Sequence, residues 1–116
     1  MDILSQLEEM LQQANTRRFN SGYLYGEKIT VYVRVTSRLI DGKMMQTIDI
    51  GNVSVDEEHQ QKGIFKYFLK SVEELADRFD RTVYIESVLS KFLARKLSEY
   101  GYTSNHELCP SFHKKP

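Results

Sequence analysis

The chain has 116 residues, near the usual size of one domain, and its sixteen basic residues are matched by sixteen acidic ones. That balance lacks the basic excess of a general nucleic-acid binder, and the single cysteine, Cys109, excludes an internal disulfide and fits a reducing compartment. The start MDILSQLEEM is acidic and interrupted, unlike a signal peptide or anchor, and no apolar run approaches the roughly 18 residues that span a bilayer. The expectation is a single cytoplasmic domain over 1–116 with no nucleic-acid or membrane partner.

Residues 2–14 place Ile3, Leu4, Leu7, Met10, Leu11 and Ala14 on one helical stripe, with Asp2 positioned as N-cap. NTRRFNSGYLYGE breaks that helix and reads as a loop with room for a short strand at Tyr23–Tyr25. KITVYVRVTSRL then alternates, with Ile29, Val31, Val33 and Val35 on one face and Thr30, Tyr32, Arg34 and Thr36 on the other. Asp41-Gly42 is a hairpin turn, and MMQTIDIGNVSV is the returning strand.

The returning strand slips in parity. Ile48 and Ile50 share one face, whereas strict alternation would put Val53 and Val55 on the other. A β-bulge near Gly51-Asn52 would bring all four to one side and end the ladder there; a strand buried on both faces is the alternative.

Phe65, Phe68, Leu69, Val72, Leu75, Ala76 and Phe79 follow helical spacing. RTVYIESV is a short strand, and Ser90 can cap a last helix over Lys91–Tyr100 that stops at Gly101. YTSNHEL is a candidate final strand and CPSFHKKP reads as a tail. The order α-β-β-α-β-α-β describes an α/β (α+β) domain with a mixed, mostly antiparallel sheet flanked by helices.

Between strand and helix stands HQQKGIF, His59 to Phe65. The first amides of a helix lack intrahelical partners and carry the positive end of its dipole, so a glycine turn there can cradle an anion. Lys62 adds charge, while Gln60 and Gln61 add hydrogen-bond donors. The stretch lacks the second glycine and the Lys-Ser/Thr pair of a nucleotide-hydrolase loop, and it lacks the dinucleotide G-x-G-x-x-G. A glycine that merely opens a helix is the plainer reading.

VSVDEEHQQKGIFKYFL resembles motif A of the GCN5-related N-acetyltransferases (GNATs), Gln/Arg-x-x-Gly-x-Gly/Ala after a strand ending in Val-x-Val. Gln60, Gly63 and Val53–Val55 match, and Phe65 stands where the second small residue of the motif lies. SKFLARKLSEYGY resembles motif B, a helix ending in a Gly-Phe/Tyr pair, here Gly101-Tyr102. The resemblance covers about residues 29–108. It implies acetyl-CoA held in a wedge between two splayed central strands, Val53–Val55 and Tyr84–Val88. Val53, Ser54 and Val55 would pair with pantetheine. Gln60, Gln61, Lys62, Gly63, Ile64 and Phe65, with Lys66 beside them, would hold the pyrophosphate.

The resemblance also directs the search for catalytic groups. Asp49 lies fourteen residues before Gly63, where histone-acetyltransferase-like members carry a glutamate base. Its plainer role is a polar residue on the sheet's solvent face. Glu86 on the following strand is a second candidate base. The tyrosine that often serves as general acid falls at Leu97 here, leaving Tyr100 as a substitute or as packing. Ser90 stands where the family often has asparagine, beside its role as cap. His106, Cys109 and His113 offer only three metal ligands with no obvious fourth, so no metal is expected. Arg17-Arg18 and Lys114-Lys115 read as solvated basic pairs.

The expected activity is acetyl transfer from acetyl-CoA to a primary amine of a small molecule or protein. The alternatives are a GNAT-fold binding or regulatory module with weak or no turnover, and an interaction domain without ligand. By sequence the sheet reads as one strand short, which leaves room for a strand donated within a homodimer or for a partner covering the edge. Tyr23, Tyr25 and Tyr32 are candidates to line the acceptor site.

Overall fold

A computed structural model of the chain describes residues 2–14, 20–26, 28–55, 63–86, 88, 91–106 and 110–116. The elements run α1 (Ile3–Gln12), β1 (Asn20–Tyr25), β2 (Ile29–Ile40), β3 (Lys43–Val55), α2 (Ile64–Phe79), β4 (Thr82–Ile85), α3 (Lys91–Glu99), β5 (Thr103–Ser104) and β6 (Phe112–Lys114). One six-stranded sheet has the order β1-β2-β3-β4-β6-β5. Among the described strands only β3 and β4 pair in parallel, as the crossover through α2 requires.

Asp2 caps α1, its carboxylate accepting from the Ser5 amide at 2.8 Å. That hydrogen bond lowers the Asp2 pKa from its ordinary value. Leu7 and Leu11 bury the apolar stripe of α1. The Gln6 side chain lies along the outer edge of β1, donating to Tyr25 O at 3.1 Å and accepting from Tyr25 N at 3.3 Å. An open sheet edge is thereby occupied by the chain's own side-chain amide.

β2 and β3 join through Asp41 (φ 52°) and Gly42 (φ 80°), so both turn residues have the positive φ that a two-residue hairpin of this twist needs. From that turn the register runs without slip to Tyr32↔Gly51, then resumes at Thr30↔Ser54. β3 spends one residue more than β2 over this step, which is the bulge inferred from parity. Asn52 supplies the left-handed residue, at φ 43°, a conformation asparagine tolerates better than most side chains. Val53 consequently packs against the same core as Ile48 and Ile50.

That core joins Val31, Val33 and Val35 of β2, Ile48 and Ile50 of β3, and Val83 and Ile85 of β4 to Leu7 and Leu11 of α1. Phe68, Leu69 and Val72 of α2 and Leu97 of α3 complete it. Each such side chain fully buried contributes about 1.5–3 kcal/mol. Arg81, just before β4, is buried and donates to Thr36 O and Thr47 O, both at 3.1 Å, clamping β2 to β3 where β4 begins.

Three expectations need correction. β1 is a full six-residue strand, since Asn20, Gly22 and Leu24 stand opposite Val35, Val33 and Val31 on the core face. β4 ends at Ile85, earlier than Val88. Residues 112–114 of the supposed tail form β6, inserted between β4 and β5 with Phe112 buried in the core. The last strand therefore comes from this chain itself. Its sequence signal is weak because only one of three residues is apolar.

Tyr102 locks this end of the sheet. Its buried hydroxyl donates to Glu73 Oε2 at 2.8 Å, while Lys114 Nζ donates to Glu73 Oε1 at 3.2 Å and to Tyr100 O at 3.0 Å. Burial first, and the Glu73 carboxylate second, raise the Tyr102 pKa well above the usual phenol value. The unfolded phenol ionises near pH ~10 while the folded one stays protonated, so this contribution is present below ~10 and falls as pH rises beyond it. Tyr102→Phe is expected to cost about 1–3 kcal/mol at neutral pH and to lose less stability than the parent between pH ~10 and ~11, read as urea midpoints. Parallel alkaline profiles would remove Tyr102 from this role.

Candidate active site at the β3–β4 divergence

Strands β3 and β4 run together only from Thr47↔Thr82 to Ile50↔Ile85, and the Glu86 amide donates one more bond to Ile50 O, at 3.0 Å. β3 continues past the bulge to Val55, paired with β2 alone. Among the described residues, nothing of β4 accompanies Asn52–Val55, so one edge of β3 is left without its neighbouring strand. Backbone N–H and C=O groups on such an edge suit an extended ligand that carries amides.

α2 begins after residues 56–62, which lie outside the described residues. Gly63 has φ 80° and ψ 6° and supplies no side-chain cap; the first turn of α2 carries no acidic residue. A Cβ built on Gly63 meets no heavy atom of the described residues within 4 Å, and its φ of 80° by itself calls for glycine. A helix start of this kind favours an anion through its free amides and dipole. Phe65, the misfit to motif A, is half-buried and packs with Ile64 against the core. Lys66 is exposed on the same turn, its ammonium 5.5 Å from the centre of the Tyr100 ring.

Of the other expected cofactor contacts, Val53 packs on the core, and Ser54 and Val55 extend β3. Gln60, Gln61, Lys62 and Ser90 lie outside the described residues. So does Cys109; among the described residues no group of His, Cys, Asp and Glu side chains is arranged to hold a metal ion.

Asp49 and Glu86, chosen separately from the sequence, meet in one cluster. Asp49 stands on the sheet face opposite the core, with Arg34 across from it on β2 and Tyr84 on β4. Its exposure is nevertheless 1%. Thr47 Oγ1 donates to its Oδ1 at 2.6 Å and Arg38 Nε to its Oδ2 at 2.6 Å. Arg34 and Arg38 both reach Glu86 Oε1 with an Nη2 group. Arg38 also lies over the Tyr84 ring, 4.2 Å from its centre. Glu86 crosses to these partners above Gly51, where a Cβ would come within 3.1 Å of Glu86 Oε2. Two arginines and two carboxylates thus cancel in charge at the place where β3 and β4 part.

The arginines are what sequence reasoning overlooked. Counting back from the two-residue turn pairs Arg34 with Asp49, so that contact was available from the hairpin register. Arg38 and Glu86 required the β4 crossover. Tyr100 lies apart: its ring meets Lys66 and its carbonyl accepts from Lys114, and no described contact joins it to Asp49 or Glu86. Tyr23 and Tyr25 are exposed on β1, and the Tyr23 ring packs edge-on against Tyr32 at 5.0 Å, on the face that carries the arginines.

No family model matches the sequence, and no curated protein matches it. Solved structures do match in shape. A KacTA–DNA complex superposes with TM-score 0.62 at 8% identity, covering 92% of this chain and 79% of that one. An AtaT Y144F toxin bound to the C-terminus of the antitoxin AtaR and acetyl-CoA gives 0.59 at 8% identity, covering 91% and 73%. Arabidopsis thaliana NAA60 with a bisubstrate analogue gives 0.56 at 13% identity, covering 98% and 94%. The fold is that of the GNAT acetyltransferases. No helix among the described residues is long and apolar enough to cross a membrane.

Leu97, where the motif B resemblance led to the expectation of a tyrosine, is fully buried in the core. Leu97→Tyr is therefore expected to lower stability by about 1–3 kcal/mol through overpacking, without raising any acetyl-transfer rate. A faster, equally stable variant would show that the helix can present a phenol to the site.

Proposed function

We propose that this protein binds acetyl-CoA along the free edge of β3 and transfers its acetyl group directly to a primary amine. The observation that carries this reading is the end of β3–β4 pairing at Ile50/Ile85, followed in the chain by a helix, α2, that starts among the described residues with no side-chain cap and no acidic residue in its first turn. Pantetheine amides would bond to the Asn52–Val55 edge, and the pyrophosphate would sit on residues 60–66 at the helix start. The GNAT fold shared with an acetyl-CoA complex of AtaT supports the same ligand.

The amine must attack in its neutral form, held close to the thioester carbonyl. Its nitrogen bonds to the carbonyl carbon, the C–S bond breaks, and CoA leaves as thiolate. The surplus amine proton passes to a carboxylate, directly or through water, and the thiolate is protonated in turn. Glu86 is the better placed acceptor, being partly exposed at the end of β4, whereas Asp49 is enclosed by Thr47 and Arg38. Asp49 then fixes Arg38. Tyr100 is left as a packing residue beside Lys66.

A second reading, a CoA-binding module with little turnover, is favoured by the engagement of both carboxylates with arginine. Titration calorimetry with acetyl-CoA tests the shared premise, and thiol release with amines separates the two readings. Because structures similar to this chain include complexes with DNA and with acetyl-methionyl-tRNA, balanced charge alone is a weak ground for excluding nucleic acid. An aminoacylated tRNA therefore belongs in the acceptor panel beside small amines and peptides.

Gly63→Glu is expected to abolish acetyl-CoA binding by bringing charge to the anion site and a side chain to φ 80°. Unchanged affinity would place the cofactor elsewhere. Glu86→Gln is expected to lower kcat by about 10²–10⁴ with cofactor affinity retained, and Asp49→Asn by less. An unaltered rate in Glu86→Gln would remove it as base.

A further inference from the structure

Resting on the acetyl-transfer reading, we propose that the acceptor is a small zwitterion, an amine that carries its own carboxylate, and that Arg34 binds that carboxylate.

The two arginines of the cluster are not equivalent. Arg38 is engaged at two nitrogens and one face: Nε to Asp49, an Nη2 group to Glu86, and its plane over Tyr84. Arg34 shares Glu86 Oε1 with Arg38, and its Nε is buried with no hydrogen-bond partner among the described residues. Asp49 Oδ2 lies 4.0 Å from that Nε, beyond hydrogen-bond reach. A buried donor left unpaired on a charged group is costly, and a guanidinium fork is shaped for a carboxylate held by two parallel bonds. The Arg34 side chain as a whole is 30% exposed although its Nε is not, so a ligand carboxylate gains both bonds only by displacing Glu86 from the guanidinium. It also stands closer along β2 to the β3–β4 divergence than Arg38 does, two residues from the Tyr32↔Gly51 pair at the bulge.

Charge then selects the occupant. The cluster is neutral, with Arg34 and Arg38 against Asp49 and Glu86. A plain alkylammonium entering beside Glu86 would leave Arg34 without a counter-ion and add an uncompensated positive charge. A zwitterion inserts into the Arg34–Glu86 pair instead: its carboxylate takes Arg34, its ammonium takes Glu86, and neutrality is kept. The same exchange loosens the hold of Arg34 on Glu86, the carboxylate that must later receive a proton. The half-exposed Tyr23 and Tyr32 border this end of the face, and Tyr32 already lies under the Arg34 guanidinium at 5.9 Å. They provide walls for the short carbon chain of such a ligand.

The test compares glycine, β-alanine and γ-aminobutyrate with ethylamine and propylamine, by NMR titration of the protein without acetyl-CoA and by thiol release with it. The expected result is binding of at least one zwitterion about tenfold or more tighter than either plain amine, with the same order in kcat/KM. Arg34→Gln should erase that preference and Arg34→Lys should retain part of it, each variant being checked for an unchanged thermal midpoint. Equal affinity for zwitterions and plain amines in the parent protein would overturn the inference, and so would a preference that survives Arg34→Gln. A preference lost in Arg34→Gln alongside absent acetyl-CoA binding would uphold the zwitterion site and remove the acetyl-transfer reading instead.

Discussion

The parallel ladder between β3 and β4 stops at Ile50 and Ile85, and the arrangement of the site follows from that stop. One inserted residue on β3, with Asn52 in the left-handed region, turns the strand while returning Val53 to the core. The bulge thus reconciles two demands that strict alternation would set against each other. The apolar face stays on one side of the sheet through Val53, and β3 still runs on past the point where its pairing with β4 ends. Gly51, beside it, leaves room for Glu86 to cross towards β2.

The other face of the sheet answers to electrostatics rather than to packing. Asp49 is as buried as the isoleucines beside it, yet it is surrounded by Thr47, Arg38, Arg34 and Tyr84. A carboxylate so enclosed is tolerable only with its charge paired and its oxygens hydrogen-bonded, and both conditions are met. The partner that shares these arginines, Glu86, remains partly exposed. Two carboxylates in one cluster are thereby given different environments: one structural in character, one open to solute.

The neighbouring end of the sheet is held by a separate polar group, Glu73 receiving Tyr102 and Lys114. It fastens α2 to the segment after α3 and to β6. The middle of α2 is thereby tied to two segments distant in sequence. Phe65 packs against the core, so a residue at odds with the motif in sequence is compatible with the fold that the motif marks.

Local rules were enough to determine the amphipathic helices, the β2–β3 hairpin and its register, and the parity slip that became the bulge. Each of these depends on neighbours close in sequence, where periodicity, a turn pair with positive φ and side-chain alternation act directly. Gly63 at the head of α2 and the pairing of Arg34 with Asp49 belong to the same class, although the latter had to be counted out from the turn. The tertiary structure alone decided that residues 112–114 enter the sheet, since a three-residue strand is stabilised by the strands on either side and not by its own composition. It also decided that Glu86 and Arg38 join Asp49. Those residues are brought together by a crossover through α2, and a contact made across a crossover leaves no periodic trace in the sequence.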